Sequence, residues 1–405
     1  MATKAAIVEK TQKGTQVSID ETISHDSSIL SSQLQVLYER LFSPHAKKTL
    51  RRFSSAEAAK LLGVTDSYVR HIASQDDTVT SEKSAAGRRT FSLDEVNTIR
   101  QILGRTKASY LPGRRESDHM QVIAVTNFKG GSGKTTTSTH LAQYLALRGY
   151  RVLAVDLDPQ ASMSATLGFQ PEFDVDDNET LYGAIRYDDQ RRPVEEVIHK
   201  TYFPGLDLIP GNLELHEFEH DTPRALAARD SADADMFFMR VGNALVELDD
   251  RYDIVVIDCP PTLGFLTLSA LCAATSVLIT VHPQMLDIAS MNQFLAMTSD
   301  LLSVVKEAGG NLDYDWMRYL ITRYEPNDGP QAQIVAFLRS LFGERVLTSM
   351  MVKSTAVSDA GLSKQTIYEA SRETMHRQTY DRAVEAMDSV NAEIENLVQA
   401  AWGRA

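Results

Sequence analysis

Residues 121–149 constrain this chain more than any other stretch. An apolar run, QVIAVTN, leads into FKGGSGKTT, and a helical pattern then continues to Arg148-Gly149. A buried strand, a glycine loop and a helix in that order form a cradle for phosphate. Small residues let backbone N–H groups face inward, and the helix N-terminus adds partial positive charge. Gly130, Gly131, Ser132 and Gly133 frame the loop. Lys134 is placed to reach the β- and γ-phosphates, Thr135 to hold Mg²⁺ through its hydroxyl, and Thr136 to bond a phosphate oxygen. The usual pattern, G-x-x-x-x-G-K-[ST], requires glycine where this chain has Phe128. A second lysine, Lys129, stands beside it.

The chain beyond residue 121 predicts an α/β fold, with a mostly parallel, doubly wound sheet. Short β-branched runs lie at 121–127, 151–156, 205–209, 253–258, 276–281 and 317–322, with helical segments between most of them. Such continuous apolar strands need cover on both faces. Ligands then sit at the strands' carboxyl ends. Asp156-Leu157-Asp158-Pro159-Gln160 ends one run. Two carboxylates at i and i+2 point to the same side, so one can orient a metal-bound water and the other an attacking water. Capping of the turn before Pro159 is the plainer reading. Asp258 ends another run, as a metal-site carboxylate does, and the two prolines of Cys259-Pro260-Pro261 stiffen the segment after it. Residues 170–200, acidic and proline-containing, read as a surface insertion. Residues 376–400 read as an amphipathic helix.

The N-terminal part has a different charge. Net charge is −13 overall, yet residues 1–120 carry 18 Lys+Arg against 14 Asp+Glu, and residues 40–115 carry 15 against 7. A basic segment on an acidic body suggests an added anion-binding module. Residues 53–74 have helix-turn-helix spacing. Ser54 or Ser55 caps a first helix, Gly63 makes the turn, and Thr65 or Asp66 caps a second. Thr65, Ser67, Tyr68, Arg70 and His71 fall on or near a recognition face. Arg51 and Arg52 precede the unit. Arg88-Arg89 reads as a basic wing, and Ser92-Leu93-Asp94-Glu95 caps a further helix. This order resembles the winged helix of MerR-type regulators. These nine residues are the candidate DNA contacts here.

The chain divides into four segments: a tail and amphipathic helix at 1–45, a winged helix-turn-helix at 46–105, a linker at 106–119, and the α/β body at 120–405. Residues 1–25 read as frayed. The stripe Leu30, Leu34, Leu37, Leu41 predicts a helix ending near Pro44, for core packing or for self-association. Two cysteines exclude a disulfide scaffold and fit a reducing cytosol. No leader pattern opens the chain and no apolar run is long enough to span a bilayer.

KGGSGKTT, VDLDPQ and DCPPTLG, in this order, resemble the deviant Walker-A ATPases of the ParA/MinD group. TNFKGG, TLYGAI and LIPGNLEL are similar to the plasmid-partition ParA branch. With the N-terminal helix-turn-helix, the chain resembles large plasmid ParA proteins, nearest the RepA proteins of RepABC-type plasmids. The resemblance implies ATP/ADP and Mg²⁺ as ligands and a slow, partner-stimulated ATPase. It implies a homodimer, a ParB/RepB-like centromere-binding partner, DNA bound both at an operator and non-specifically, and a cytoplasmic, nucleoid-associated protein with no membrane partner. Lys134 would serve its own nucleotide, and Lys129 the nucleotide of the other subunit. Asp158 would orient water, with Thr135, Asp156 and Asp258 around the metal. Adenine contacts would come from Thr322, Arg323 and the loop holding Pro326. Arg323, Arg345, Lys353 and Lys364 are candidates for non-specific DNA contact.

Three other classes are less well matched. A membrane-cycling ATPase similar to MinD needs a basic amphipathic terminus, whereas the C-terminal helix carries Asp381, Glu385, Asp388, Glu393 and Glu395. An iron–sulfur reductase needs paired cysteines in another pattern. A nucleotide-regulated repressor without turnover would not need the intact lysines and aspartates.

Overall fold

The computed structural model describes residues 18–41, 48–83, 87–228 and 236–404. Residues 1–48 and 49–405 form separate units. In the first, helix α1 spans Ile19–Leu41 and starts inside the stretch expected to be frayed. Its described side chains, residues 19–33, are exposed. Phe42 and Pro44, where the helix was expected to end, lie outside the described residues.

In the second unit, β1 (Phe53–Ser54) leads into α2 (Ser55–Leu62) and α3 (Asp66–Gln75). Strands β2 (Glu82–Lys83) and β3 (Arg89–Phe91) and helix α4 (Leu93–Thr106) come next. Ser54 and Glu57 close a reciprocal capping box on α2, as Ser92 and Glu95 do on α4. Gly63 turns between α2 and α3 at φ 68°, a conformation favouring glycine. Strand order β1-β3-β2, antiparallel, makes the wing. Ala58, Leu62, Val69, Ile72, Phe91, Val96 and Ile99 fill the small core.

The body begins with β4 (Gln121–Thr126), α5 (Lys134–Arg148), β5 (Val152–Asp156), α6 (Ser162–Thr166) and α7 (Leu181–Ile185). It continues with β6 (His199–Lys200), β7 (Leu206–Ile209), α8 (His216–Ala228), α9 (Arg240–Val246), β8 (Ile254–Asp258) and α10 (Phe265–Ala273). Last come β9 (Ser276–Val281), α11 (Met285–Glu307), β10 (Trp316–Ile321), α12 (Gly329–Phe342), α13 (Thr355–Leu362) and α14 (Arg377–Ala401). Among the described residues the sheet has seven strands, ordered β10-β9-β4-β8-β5-β7-β6. All pairs are parallel except the edge pair β6–β7. Every residue of β4, β5, β8 and β9 is buried, which explains their apolar, non-alternating sequences.

Two expectations change. Residues 170–200 are not a surface insertion throughout: Leu181, Tyr182, Ile185, Val194 and Val197 are buried in the core on one face of the sheet. The linker segment is also fastened down. The Arg114 amide donates to Asp253, its guanidinium pairs with Asp249, and Asp118 pairs with Arg404.

The winged module shares its core with the body. Arg100 of α4 is 3% exposed and donates to the Leu147 carbonyl at the end of α5 (2.8 Å). Burial pulls its guanidinium down to about 10, still a cation at neutral pH. It packs over Gly149, where a Cβ would lie 2.6 Å from Arg100 Nη1. No helix among the described residues is long and apolar enough to cross a membrane.

Candidate functional site

The glycine loop lies at the carboxyl end of β4, beside the ends of β8 and β9. Gly131 and Gly133 adopt φ 76° and 88°, which an L side chain would strain. Gly133 begins α5 without a capping side chain, so the first amides of the helix remain for a ligand. The loop is held from behind. Thr322 Oγ1 donates to the Ser132 carbonyl (2.7 Å), and Arg323 Nη1 to the Gly131 carbonyl (3.0 Å). Ser132 and Thr280 hydroxyls meet at 3.0 Å, and Asn127 Nδ2 donates to the Thr280 carbonyl (2.6 Å). Gly130 and Thr136 are exposed at the mouth.

Lys134 is buried at 6% exposure. Its ammonium donates to the Lys129 carbonyl at 3.4 Å. Burial lowers its pKa, while Asp258 and Asp158 oppose that shift. A cation is thus kept in an enclosed place in front of the helix end.

Asp156 and Asp258 are paired neighbours at the ends of β5 and β8. Both are fully buried. Burial raises both carboxyl pKa values. The Asp156 charge raises Asp258 further, and hydrogen bonds from Ser164 hold Asp156 back. Asp258 Oδ1 accepts from Ser138 (3.0 Å), and the Thr135 hydroxyl lies near enough to this carboxylate to lower its pKa. Asp258 Oδ2 is buried without a hydrogen-bond partner among the described residues. An orphaned carboxylate oxygen beside a threonine hydroxyl suits a hard divalent cation. Among the described residues no group of three or more His, Cys, Asp or Glu could hold a metal. Asp258 and Thr135 together fit Mg²⁺, a small hard cation with oxygen ligands.

Both oxygens of Asp156 accept hydrogen bonds within the protein. Its Oδ2 accepts from Ser164 N and Oγ (2.8 and 2.7 Å), and Oδ1 from Asp158 N (3.2 Å). It builds the turn that presents Asp158, which is only half-buried. Thr322, at 1% exposure, and Arg323 both support the glycine loop. Pro326 is exposed in the adjoining turn.

Lys129 is turned toward its own chain, in an ion pair with Asp287 of α11. Phe128, in the place of the usual glycine, stacks on Phe294 of the same helix (5.7 Å, 18°). Glu219 of α8 accepts from the Phe265 and Leu266 amides (both 2.9 Å) and so caps α10, just after CPPTLG. Asp287, Phe294 and Glu219 carry no local pattern, and the sequence reading missed them. Cys259 is buried and its thiol pKa raised by burial, so it is held protonated.

In the winged module, Thr65, Ser67, Tyr68, Arg70 and His71 are exposed along the start and outer side of α3. Thr65 is its N-cap residue, without a side-chain bond to the helix amides, and its hydroxyl meets that of Ser67 at 3.2 Å. Tyr68 and His71 rings stack at 6.5 Å, and Arg70 pairs with Asp66 at 3.0 Å. Arg88 is exposed, and the half-buried Arg89 reaches the Arg70 carbonyl at 3.5 Å. Arg51 and Arg52 are taken up internally. Arg51 pairs with Glu57 (2.8 Å), and Arg52 with Glu95 (2.6 Å) and Glu82 (3.4 Å). Both side chains stay partly exposed, at 24% and 29%. Lys353 pairs with Glu325 (2.9 Å), and Arg345 lies over the Phe342 ring.

The AAA domain family matches residues 120–308. The chain is 58% identical over 391 residues to a Rhizobium rhizogenes protein named as a candidate replication protein A, covering 96% of each. It is 33% identical over 239 residues to the chromosome partitioning protein ParA of Myxococcus xanthus, covering 59% of this chain and 77% of that one. A solved structure described as a partition protein superposes with a TM-score of 0.63 at 17% identity, covering 92% of this chain and 98% of that one. With its glycine loop, paired strand-end aspartates and second lysine, this chain belongs to the ParA family of partition ATPases.

Proposed function

We propose that this protein is an ATP- and Mg²⁺-dependent plasmid partition ATPase that works in the cytoplasm on nucleoid DNA. In this reading, residues 46–105 bind an operator, 120–405 bind and hydrolyse ATP, and 1–45 contribute a helix to self-association. The observation that carries it is the uncapped start of α5 behind Gly131 and Gly133, with Lys134 in front of it and the orphaned Asp258 oxygen beside Thr135.

Catalysis of phosphoryl transfer is mainly positioning and charge stabilisation. Loop amides and Lys134 would fix the β- and γ-phosphates. Thr135 and Asp258 would hold Mg²⁺, which would supply positive charge to offset that of the phosphates. Asp156 shapes the turn, and Asp158 would orient the attacking water. Lys129 would act on the other subunit's nucleotide, since a cation supplied in trans raises turnover by about 10³–10⁵. ATP would thereby build the dimer, the dimer would bind DNA non-specifically, and a centromere-binding partner of the ParB/RepB type would trigger hydrolysis. Exposed Tyr68, Arg70, His71 and Arg88 would read the operator of its own operon and repress it.

The test is sedimentation plus gel shift on non-operator DNA with ATP–Mg²⁺ or ADP–Mg²⁺. A dimer and a salt-sensitive shift with ATP alone support the reading. Equal behaviour in both nucleotides would refute it.

A further inference from the structure

Between the glycine loop and α11 lies an ion pair that nucleotide binding itself does not require. The Lys129 ammonium pairs with Asp287 Oδ1. Asp287 stands in the first turn of α11. Its other oxygen meets His282 Nδ1 at 3.0 Å. The Asp287 side chain is 9% exposed and that of Lys129 41%. The carboxylate is therefore the fixed member of the pair, and the long lysine the mobile one.

The backbone around Lys129 is pinned as well. Its amide donates to Asn127 Oδ1 (3.1 Å), its carbonyl accepts from Lys134 (3.4 Å), and Phe128 is stacked on Phe294. Only the Lys129 side chain is left with two destinations. One is Asp287 in its own chain. The other is outward, to a phosphate on a second copy.

We propose that Asp287 is a parking site for Lys129, holding it in its own subunit until two nucleotide-loaded subunits meet. This rests on the trans role assigned to Lys129 above. Asp287 is then a positioning residue: it touches no phosphate and acts through the lysine. The parked state lowers the competent fraction and weakens the apparent association in proportion. An ion pair between an enclosed carboxylate and a part-exposed ammonium holds the parked form by up to about tenfold over the free one. A two-fold dimer needs both lysines released, so that factor enters twice, up to about 100-fold in the dimer dissociation constant. The consequence is a threshold. Single loaded subunits at low density stay apart, and dimers form where subunits are concentrated.

The test is sedimentation velocity over a range of protein concentrations, with a non-hydrolysed ATP analogue and Mg²⁺. It compares wild type, Asp287→Asn, Lys129→Gln and the double variant. Asp287→Asn should lower the dimer dissociation constant by about 10–100-fold, and it should change nothing further in the Lys129→Gln background. An unchanged constant in Asp287→Asn overturns the parking role, as does an equal shift without Lys129. In parallel, a carbodiimide should join Lys129 to Asp287 within one chain of the nucleotide-free protein, seen by peptide mass spectrometry. The analogue with Mg²⁺ should suppress that product. Its absence from the free protein overturns the proposal directly. A wild type that stays monomeric with the analogue, cross-link present, refutes the dimer reading and the parking role with it. A wild type that dimerises beside an unaltered Asp287→Asn refutes parking alone.

Discussion

Replacing Lys134 by glutamine should make the empty protein more stable and the nucleotide site useless. The ammonium is buried at 6% exposure, and among the described residues its hydrogen bond is a 3.4 Å contact to the Lys129 carbonyl. Burial is the largest influence on its pKa and lowers it. The folded chain therefore holds a charge that water would solvate better. Glutamine keeps most of the length and a donor for the carbonyl while removing the charge. Relief of an imperfectly matched buried charge is worth about 1–3 kcal/mol, or about 2–6 °C in melting temperature for a unit of this size. The pH dependence has a definite sign. Because the folded pKa is lowered, the unfolded chain binds more protons in the window just below 10.5, the ordinary lysine value. The cost is thus fully present at neutral pH and fades as pH rises through that window. The stability advantage of Lys134→Gln should shrink there. With nucleotide the order reverses. Loss of one charge-assisted contact to phosphate costs about 1.5–3 kcal/mol, roughly 10–150-fold in affinity. Thermal unfolding with and without ATP–Mg²⁺, plus calorimetric titration, would check both halves. A variant that melts lower than wild type when empty, or that binds ATP within about threefold of it, would refute this reasoning.

Two further perturbations test how the site is supported. His140 is buried on α5; its Nδ1 is 2.7 Å from the Thr136 carbonyl, and its Nε2 accepts from the Ile367 amide. Burial lowers its pKa from 6.5 to about 4, so the unfolded chain binds the extra proton first as pH falls. Stability should drop by roughly 3 kcal/mol between about pH 6.5 and pH 4, and denaturant titrations of His140→Gln should show a shallower acid slope. Gly149→Ala adds a Cβ 2.6 Å from Arg100 Nη1 at a residue with φ 100°. It should cost about 2–3 kcal/mol and speed protease cleavage between residues 104 and 118, where the winged module joins the body.

What the sequence disclosed was what local pattern can encode. The runs at 121–127, 253–258 and 276–281 are strands because continuous β-branched residues suit a sheet covered on both faces. Ser92-Leu93-Asp94-Glu95 announced a helix start because a capping box is complete within four residues, whereas Ser54 and Ser55 were both open as caps and the structure uses Ser54 with Glu57. The glycine loop was legible for the same reason. Residues 170–200 misled because their aspartates and glutamates outweigh Leu181, Ile185 and Val197, which are the buried ones. A charge count over Arg51 and Arg52 does not show their partners, which include Glu57, Glu82 and Glu95. The contacts that hold the site, Lys129–Asp287, Glu219 on α10 and Arg100 on Leu147, join residues far apart in the chain. No periodicity marks such pairs; only the folded topology brings them together.

The central claim is that Lys129 works on the other subunit's nucleotide, and complementation tests it most directly. Lys129→Gln keeps its own Asp158 but has no lysine to offer. Asp158→Asn keeps its lysine but cannot orient water at its own site. Hydrolysis would be measured with ATP, Mg²⁺ and DNA for each variant and for an equal mixture. Each variant alone should be near background. In the mixture half the dimers are mixed, and each has one site with Asp158 in cis and Lys129 in trans, so the rate should return to about a quarter of wild type. A mixture no faster than the sum of its parts would show that Lys129 serves its own nucleotide, and would contradict the account.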